Sequence, residues 1–302
     1  MRIGQISEQF GSVIEGSPED TVQNVDAGTV RDLLKSRGVV MFSGYATPLA
    51  EFEQFIRQFG ENFMTYQGGG YIRGKVSSDE TLLSTRYDHG REKQETFGLP
   101  LHGEMYYTNH RPVLLWFYCR RPAASDGETT VCDGAQVYAA LSEASKQLLA
   151  EKKLKYIRHY LDGEWQKIYQ TDDIDEAIRF CDGNGIAARV EDGNSLKTEY
   201  VHPGTIESRW GGRRVYINNV LPVVWQEQMG RKTSIVRFED GSQIPQSLVD
   251  EVKAAQDRLV IPLKWQAGDF AVLDNTRALH GRRAFTDTDR EVFLRMVRDV
   301  SF

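Results

Sequence analysis

Seven consecutive apolar residues, Val113-Leu-Leu-Trp-Phe-Tyr-Cys119, constrain the fold of this chain most, because a continuous aromatic and aliphatic run of this length is of strand type. A second strand-type segment is Glu128–Cys132, and the turn residues Ser125-Asp126-Gly127 lie between the two. We therefore expect adjacent strands here. Strand patterns return at Arg214–Asn218 and Phe270–Asp274, so strands are predicted to dominate the middle and the end of the chain.

Helices are predicted to flank these strands. Apolar residues recur at helical spacing in residues 26–37, 47–59, 135–153 and 247–258. The first segment precedes a short buried-strand run, and the second ends at Gly60, which tolerates positive φ. The pattern predicts a mainly β chain with flanking helices (α+β), folded as a double-stranded β-helix (jelly roll, cupin-like) in a single domain over residues 1–302.

Residues 66–98 differ from the rest of the chain in being polar, charged and interrupted by Gly68-Gly69-Gly70 and Gly74. A loop of this length is usually functional or disordered, and we expect a lid or loop insert that closes over a substrate, with a mobile surface excursion as the alternative. The glycine triplet lacks the Gly-Lys-Ser/Thr that follows in a phosphate loop, which argues against nucleotide binding.

Composition and charge exclude several classes of protein. The hydrophobic fraction of 40% is that of a globular protein, and the net charge of −6 with dispersed Lys and Arg argues against nucleic-acid binding. The three cysteines, Cys119, Cys132 and Cys181, show no CxxC spacing. Neither a signal-peptide core nor a run of about 18 apolar residues occurs. We expect a cytoplasmic protein with a small-molecule partner and no membrane association; homo-oligomerisation stays open.

Two histidines and a glutamate suggest a metal centre. His102 and Glu104 are separated by one residue, so on a strand both side chains point the same way. The stretch Trp265–Arg282 supplies a further strand and then His280. Two histidines and one carboxylate occupy one face of a metal ion and leave the opposite face open. Zinc accepts the same ligands, so the residues alone leave a zinc hydrolase open.

Several separated motifs occur in one fixed order: Gly38–Gly44, Leu99–Glu104 with the segment up to Cys119, Asp126-Gly127-Glu128-Thr129, Gly268-Asp269, Asp274-Asn275 and His280-Gly281-Arg282. In these the chain resembles the TauD/TfdA (taurine dioxygenase, clavaminate synthase-like) family of Fe(II)/2-oxoglutarate-dependent oxygenases. The resemblance covers most of the chain.

The resemblance implies that His102, Glu104 and His280 bind Fe(II), and that 2-oxoglutarate and O2 are co-substrates. An unactivated C–H bond of a substrate would be oxidised, with hydroxylation expected and with release of succinate and CO2. Desaturation, cyclisation or oxidative cleavage in natural-product biosynthesis is the alternative, and a redox-inactive cupin-like binding protein is a remote one. Family halogenases carry a small residue where this chain has Glu104, so halogenation is not expected.

The resemblance also places 2-oxoglutarate beside Thr129, which otherwise reads as a β-branched strand residue. For the arginine that binds the distal carboxylate we favour Arg295, because it lies among apolar residues and would be costly to bury without an anion, and we rank Arg290 second. Glu291 departs from the family pattern at the expected arginine position. For Asp274 and Asn275 two interpretations stay open: the resemblance implies site scaffolding, and the residue types alone indicate a turn.

A substrate that is small, polar and amino-acid-like or carboxylate-bearing is expected from the glutamate-bearing branch of the family. Candidate substrate residues, chosen for polar or aromatic character near segments predicted to face the site, are Arg86, His89, Arg91, Tyr106, Tyr107, Asn109, Arg209 and Asn219.

Overall fold

The computed structural model describes residues 1–69, 72–87, 97–230, 233–287 and 289–302, with the backbone alone for residues 86–87. Its strands are β1 (Arg2–Gln5), β2 (Ser12–Glu15), β3 (Val39–Ser43), β4 (Arg73–Lys75), β5 (Leu82–Tyr87), β6 (Leu99–His102), β7 (Leu114–Arg121), β8 (Thr129–Asp133), β9 (Leu154–Tyr160), β10 (Ile186–Glu191), β11 (Ser195–His202), β12 (Ile206–Glu207), β13 (Arg214–Val215), β14 (Ser234–Phe238), β15 (Ile261–Leu263), β16 (Phe270–Asp274), β17 (Ala278–Arg282) and β18 (Glu291–Val297).

The helices are α1 (Ala27–Arg37), α2 (Leu49–Ile56), α3 (Gly134–Ala140), α4 (Glu143–Glu151), α5 (Trp165–Tyr169), α6 (Ile174–Gly183), α7 (Val220–Gln228) and α8 (Gln246–Leu259). Short 3-10 turns occupy Val22–Asn24, Arg57–Phe59 and Asp192–Asn194.

The largest sheet has the strand order β1-β2-β3-β16-β7-β18-β5-β4. Its central strand β7 pairs antiparallel with both β16 and β18. Alternate side chains of β7 enter two different hydrophobic clusters, Phe117 on one face and Trp116 on the other. Helices α1 and α2 pack on the Trp116 face. Both faces of β7 are therefore buried, which explains its unbroken apolar sequence.

A four-stranded sheet of order β15-β8-β17-β6 lies across the core from the Phe117 face of the large sheet. The ring centroids of Phe117 and His280 are 5.4 Å apart, so the inner surfaces of the two sheets are in contact. All five residues of β17 are buried. The space between these sheets is where the predicted metal ligands lie.

Between β8 and β15 the chain forms an additional antiparallel sheet of order β10-β11-β9-β14, accompanied by α4–α8 and the hairpin β12-β13. Its strand β9 shows alternate burial, with Tyr156 and Arg158 on the inner side. The Tyr156 hydroxyl accepts a hydrogen bond from the Asn219 amide at 2.9 Å, at the N-terminus of α7. This sheet thus adds a wall of polar and aromatic side chains to the core.

The predicted sheet-rich α+β class is confirmed. The helix predicted over residues 135–153 is two helices, because Leu141 leaves the helical conformation and Ser142 caps α4 by accepting from the Ser145 amide. The predicted strand at 214–218 is only two residues long.

Part of the segment predicted as a loop, residues 66–98, forms strands β4 and β5, because Leu82 and Leu83 bury their side chains on opposite faces of the large sheet. Residues 70–71 and 88–96 of that segment lie outside the described residues. Within the described ranges, no helix has both the length and the apolar character needed to cross a membrane.

Candidate metal centre

Three side chains predicted as metal ligands converge in the core. His102 ends β6 and is the register partner of His280 on β17, while Glu104 follows two residues later. Ligand atoms of His102, Glu104 and His280 all lie within 4.8 Å of one another, and all three residues are buried. The imidazole centroids are 4.3 Å apart. The pairing of two neighbouring strands therefore accounts for both histidines, as expected for side chains opposite each other on one sheet face.

The backbone around Glu104 is fixed by a glycine and an asparagine. A Cβ at Gly103 would lie 2.6 Å from Ile217 and would also overlap the Tyr106 ring, so a side chain at that position requires the surroundings to shift. The Asn275 side chain accepts from the Glu104 amide at 2.9 Å and donates to the Glu104 carbonyl at 3.1 Å. Asn275 thus holds the peptide that carries the carboxylate ligand.

The histidines are suited to bind metal as neutral imidazoles. Nδ1 of His102 lies 2.9 Å from the Pro100 carbonyl oxygen, which only accepts, so Nδ1 donates and Nε2 keeps its lone pair. Burial and the neighbouring His280 lower the pKa of His102 to about 3. Nδ1 of His280 is buried with no hydrogen-bond partner among the described residues.

Glu104 is held as an anion. Burial raises the pKa of its carboxyl, but Arg73 and the two histidines outweigh burial and bring the pKa well below its usual range. Nη2 of Arg73 lies 3.2 Å from Oε2 of Glu104, and both side chains are almost fully buried. Nε2 of His280 lies 3.4 Å from the same oxygen. Two neutral imidazoles and one carboxylate fit a divalent transition metal with open positions.

Sequence reasoning missed Arg73, because it lies in the segment read as a loop. The residue types of Tyr71-Ile72-Arg73, beside the glycines, favour a strand and could have indicated one, but an arginine in a polar segment is ordinarily solvated. Only the pairing of β4 with β5 brings this guanidinium to Glu104.

Thr129 lies on the same face of the small sheet as the predicted ligands. It is two residues from Val131, the register partner of His280, so the side chains share a face. Its hydroxyl oxygen accepts from Nε1 of Trp265 at 3.0 Å and from Nη2 of Arg290 at 3.4 Å. Arg290 is 3% exposed and also donates from Nε to the Gly127 carbonyl at 2.7 Å. The structure thus brings Arg290, the arginine ranked second, to Thr129.

Arg295, the arginine favoured from sequence, lies elsewhere. Its register partner is Trp116, on the face of the large sheet that α1 and α2 cover. Nη2 of Arg295 lies 3.0 Å from Glu53 of α2 and 3.5 Å from Asp79. The anion that an arginine buried among apolar residues requires is therefore supplied by these two carboxylates, on the side of the sheet away from Thr129.

Asp274 and Asn275, for which the sequence left site scaffolding and a turn open, have one role each. Asn275 is the scaffold described above. Asp274 makes the turn, because its Oδ1 accepts from the Thr276 amide at 2.8 Å and from the Thr276 hydroxyl at 2.6 Å.

The candidate substrate residues separate into three groups. Tyr107 is buried, and its hydroxyl lies 3.0 Å from that of Tyr66. The others with described side chains make structural hydrogen bonds. The Tyr106 hydroxyl donates to the Asn275 carbonyl at 2.8 Å, and the Arg209 guanidinium donates to the Val300 carbonyl at 2.7 Å. The Asn109 side chain accepts from the Tyr200 hydroxyl at 2.8 Å, and the Asn219 side chain accepts from the Tyr106 amide at 3.1 Å. The side chain of Arg86, and all of His89 and Arg91, lie outside the described residues.

A cavity of about 360 Å³ lies against Tyr66 and Arg73. Its remaining lining residues are Ile72, Lys75, Glu80, Leu83, Lys167 and Gln170. This volume is within the range of small-molecule sites. Arg73 therefore touches both the cavity and the Glu104 carboxylate.

Comparisons with known proteins agree with this geometry. Residues 2–297 match the family described as taurine catabolism dioxygenase TauD, TfdA family. The chain is 23% identical over 276 residues to the dapdiamide synthesis protein DdaC of Enterobacter agglomerans, covering 85% of this chain and 81% of that protein. It is 25% identical over 276 residues to a clavaminate synthase-like protein of Arabidopsis thaliana, covering 86% and 81%.

Solved structures show the same fold. PvcB of Pseudomonas aeruginosa superposes with a TM-score of 0.62 at 15% identity, covering 99% of this chain and 91% of that chain. PvcB is described as an Fe, alpha-ketoglutarate dependent oxygenase from an isonitrile synthetic pathway. A putative alpha-ketoglutarate-dependent taurine dioxygenase of Burkholderia xenovorans superposes with a TM-score of 0.60 at 18% identity, covering 98% and 92%.

Two histidines and a glutamate on a sheet-rich α+β fold define a metalloenzyme with open coordination positions. The chain belongs to the TauD/TfdA family of dioxygenases. It is accordingly a dioxygenase that uses Fe(II), 2-oxoglutarate and O2.

Proposed function

We propose that this dioxygenase hydroxylates an unactivated C–H bond of a small polar, amino-acid-like or carboxylate-bearing substrate, with release of succinate and CO2. The observation that carries the proposal is the convergence of His102, Glu104 and His280 within 4.8 Å, beside Thr129 and Arg290. In this proposal the three converging residues are the iron ligands. Bound Fe(II) and 2-oxoglutarate supply the oxidising chemistry, in which the 2-oxoglutarate is decarboxylated as O2 is reduced.

Thr129 and Arg290 are proposed to hold the distal carboxylate of 2-oxoglutarate, in place of the pair Thr129 and Arg295 favoured from sequence. The Thr129 oxygen already accepts from Trp265 and Arg290, so its own proton is available to a carboxylate. The Arg290 guanidinium is buried, and a charge-assisted bond to a carboxylate is strong in such a place.

Arg73 is proposed to orient Glu104. Its Nη2 pairs with Oε2 of Glu104 at 3.2 Å, which keeps that carboxylate charged and limits its rotation. Burial of all three ligands also keeps water away from the metal. The chain thus contributes positioning and exclusion of water, and the cofactors contribute the chemistry.

The substrate class is supported by the charge of the cavity beside Arg73. Three cations line it, Arg73, Lys75 and Lys167; Glu104 pairs with Arg73 at 3.2 Å and Glu80 pairs with Lys75 at 2.6 Å, so Lys167 leaves the cavity with a net positive charge. Such a lining favours an anionic or strongly polar ligand. Because DdaC is a synthesis protein and PvcB belongs to a synthetic pathway, we also place this chain in the biosynthesis of a small molecule.

We further propose that the two facing sheets are a double-stranded β-helix, and that residues 1–302 are one domain in which residues 66–98 form an insert over the site. The cavity lining supports the insert, because Ile72, Arg73, Lys75, Glu80 and Leu83 come from it. A cytoplasmic location remains our expectation.

The first test is an anaerobic titration of metal-free protein with Fe(II) and then 2-oxoglutarate, followed by the visible charge-transfer band of the chelate. We expect a band in the wild type and in His159→Ala, a control at an exposed histidine of β9, and none in His102→Ala. Absence of the band and of O2-dependent succinate in the wild type would contradict the proposal.

Hydroxylation is tested by a substrate screen of L-amino acids and their N-acyl derivatives. We expect a compound that stimulates succinate formation to yield a product heavier by one oxygen atom. A product lighter by two hydrogen atoms would instead establish desaturation or cyclisation, and two fragments would establish cleavage.

A further inference from the structure

Another buried arginine near the metal centre, Arg158, has no carboxylate partner among the described residues. Arg158 lies on β9 and is 7% exposed, and its Nε is buried with no hydrogen-bond partner in the described ranges of the chain. Within the described part of the chain, its single hydrogen bond runs from Nη1 to the Tyr160 hydroxyl at 3.2 Å, and the ionisable groups that act on it are tyrosines. Burying a guanidinium without an anion costs several kcal/mol, roughly, so the missing partner requires an explanation.

The face of Tyr107 offsets part of that cost. The Arg158 guanidinium carbon lies 3.5 Å from the centroid of the Tyr107 ring. A cation–π contact contributes about 2 kcal/mol when desolvated, which is less than the cost of burying the charge. A stacked guanidinium also keeps its in-plane N–H donors directed outward, where they suit a planar carboxylate.

Hydroxyl groups flank the guanidinium on both neighbouring strands. The register partner of Arg158 on β11 is the buried Thr198, and its partner on β14 is Ser234, so all three side chains lie on one sheet face. Oγ of Ser234 is itself buried with no hydrogen-bond partner in the described ranges. An arginine Nε and a serine hydroxyl without partners, on one face with a tyrosine hydroxyl, are the groups that recognise a carboxylate.

A continuous series of contacts joins this cluster to the metal centre. The Tyr107 hydroxyl lies 3.0 Å from that of Tyr66, and the guanidinium carbon of Arg73 lies 4.6 Å from the centroid of the Tyr66 ring. Arg73 then pairs with Glu104. The 360 Å³ cavity borders Tyr66 and Arg73 in this series and is also lined by Lys167 and Gln170, which flank the buried Ile168 and Tyr169. Three side chains, those of Tyr107, Tyr66 and Arg73, therefore connect Arg158, on the additional sheet β10-β11-β9-β14, to Glu104.

We propose that Arg158, together with the hydroxyls of Ser234 and Tyr160, binds the carboxylate of the substrate and so selects for acids over their amides. This inference rests on the proposed function for its assignment to the substrate. The 2-oxoglutarate carboxylate belongs, in the same scheme, to Thr129 and Arg290.

The test is nuclear magnetic resonance of protein labelled with [15Nε]arginine and loaded with Zn(II) and 2-oxoglutarate, which is diamagnetic and does not turn over. The Arg158 Nε–H signal is the one missing from Arg158→Lys, and the probes are acetate and the neutral acetamide. We expect acetate to move this signal saturably, with a Kd on the order of millimolar for so small a ligand, and acetamide to leave it in place.

Two results would overturn the proposal: a signal that acetate does not move, and a signal that acetate and acetamide move alike. A third arm starts from the Zn(II)-loaded protein without 2-oxoglutarate and adds the co-substrate alone, because an Arg158 signal that the co-substrate moves as acetate does would assign Arg158 to 2-oxoglutarate instead. If Arg158→Lys does not fold, the arginine Nε–H signal that acetate moves and acetamide does not is followed in Ser234→Ala instead: a loss of acetate affinity of about five-fold or more supports the site, and unchanged affinity, or no such signal in the wild type, rejects it.

The substrate screen gives a second readout. We expect each compound that stimulates succinate formation to be an acid whose amide is inactive, and its KM to rise about ten-fold or more in Arg158→Lys, because lysine does not replace a bidentate arginine. Arg189→Lys, at an exposed residue on β10 of the same sheet, is the matched control and should leave KM unchanged. An amide as active as its acid would contradict the proposal.

Failure of this site and failure of the proposed function give different results. The visible band of Fe(II) and 2-oxoglutarate should be the same in wild type and Arg158→Lys. Loss of the band in the wild type rejects the iron site, whereas an intact band with an unmoved Arg158 signal rejects only the carboxylate site.

Discussion

The two buried arginines of the C-terminal strand region should respond in opposite ways to removal of their charge. Arg290 reaches the Thr129 hydroxyl with Nη2 at 3.4 Å, whereas Nη2 of Arg295 lies 3.0 Å from Glu53 on the other face of the sheet. We predict that Arg290→Met weakens the binding of 2-oxoglutarate and that Arg295→Met does not. The two substitutions have the same chemistry, so each is the control for the other.

The magnitude for Arg290 follows from its burial. Removing one partner of a buried, hydrogen-bonded charge pair costs about 2–5 kcal/mol, which corresponds to a Kd raised roughly 30-fold to several thousand-fold. The side chains of Glu53 and Asp79 are 32% and 49% exposed, so after loss of Arg295 water solvates both carboxylates. We therefore expect Arg295→Met to change the free energy of unfolding by about 1 kcal/mol and the Kd for 2-oxoglutarate by less than about three-fold.

The assay is the anaerobic titration of each Fe(II)-loaded variant with 2-oxoglutarate, with thermal unfolding as the measure of stability. Both variants should reach the wild-type band intensity at saturation, because neither substitution touches His102, Glu104 or His280. A raised Kd in Arg295→Met together with a wild-type Kd in Arg290→Met would refute the reasoning.

Three further predictions concern the support of the metal centre. Asn275→Ala should weaken Fe(II) binding and lower the free energy of unfolding by about 2–3 kcal/mol, because it leaves the buried Glu104 backbone without partners; a melting temperature equal to that of the wild type would argue against it. Gly103→Ala should lose Fe(II) affinity because its Cβ overlaps the Tyr106 ring, and metal titration of the refolded variant checks this. Asp274 has its pKa raised by burial to about 6 from 3.8, so it contributes stability that is present below pH 4 and lost as pH rises through 6. Unfolding of Asp274→Asn between pH 4 and 7 should lack this component, about 3 kcal/mol for a shift of two pKa units, and a pH profile parallel to the wild type would contradict it.

Local sequence patterns were sufficient to predict the helices and strands whose apolar spacing is regular over a few residues. Helix α1 was predicted because its apolar spacing is helical, and β7 because seven consecutive aromatic and aliphatic residues are typical of a buried strand. The break between α3 and α4 was missed, because a single capping serine interrupts a pattern whose apolar spacing continues across it.

The contacts of the arginines around the candidate metal centre could not be predicted from the sequence. Arg290 and Arg295 are five residues apart and so face opposite ways on a regular strand, but which one faces Thr129 depends on the register of β18 with β7, including the irregularity between Glu291 and Val292. The approach of Glu53 from α2 then supplies Arg295 with an anion. Arg158 could have been noticed, since it takes an inward position in the alternating sequence Leu154-Lys-Tyr-Ile-Arg-His-Tyr160, where the other inward residues are apolar or aromatic.

The sequence by itself determined the family, the central strand β7 and the strands β3, β8 and β16, and the three residues whose ligand atoms converge, because each is encoded by local periodicity or by a short motif. Tertiary structure alone decided which arginine lies beside Thr129, that Arg73 pairs with Glu104, and that Arg158 is buried without an anion from the residues that the structure describes. These depend on contacts between residues far apart in the chain, and the energy of a buried charge is set by the groups that folding brings next to it.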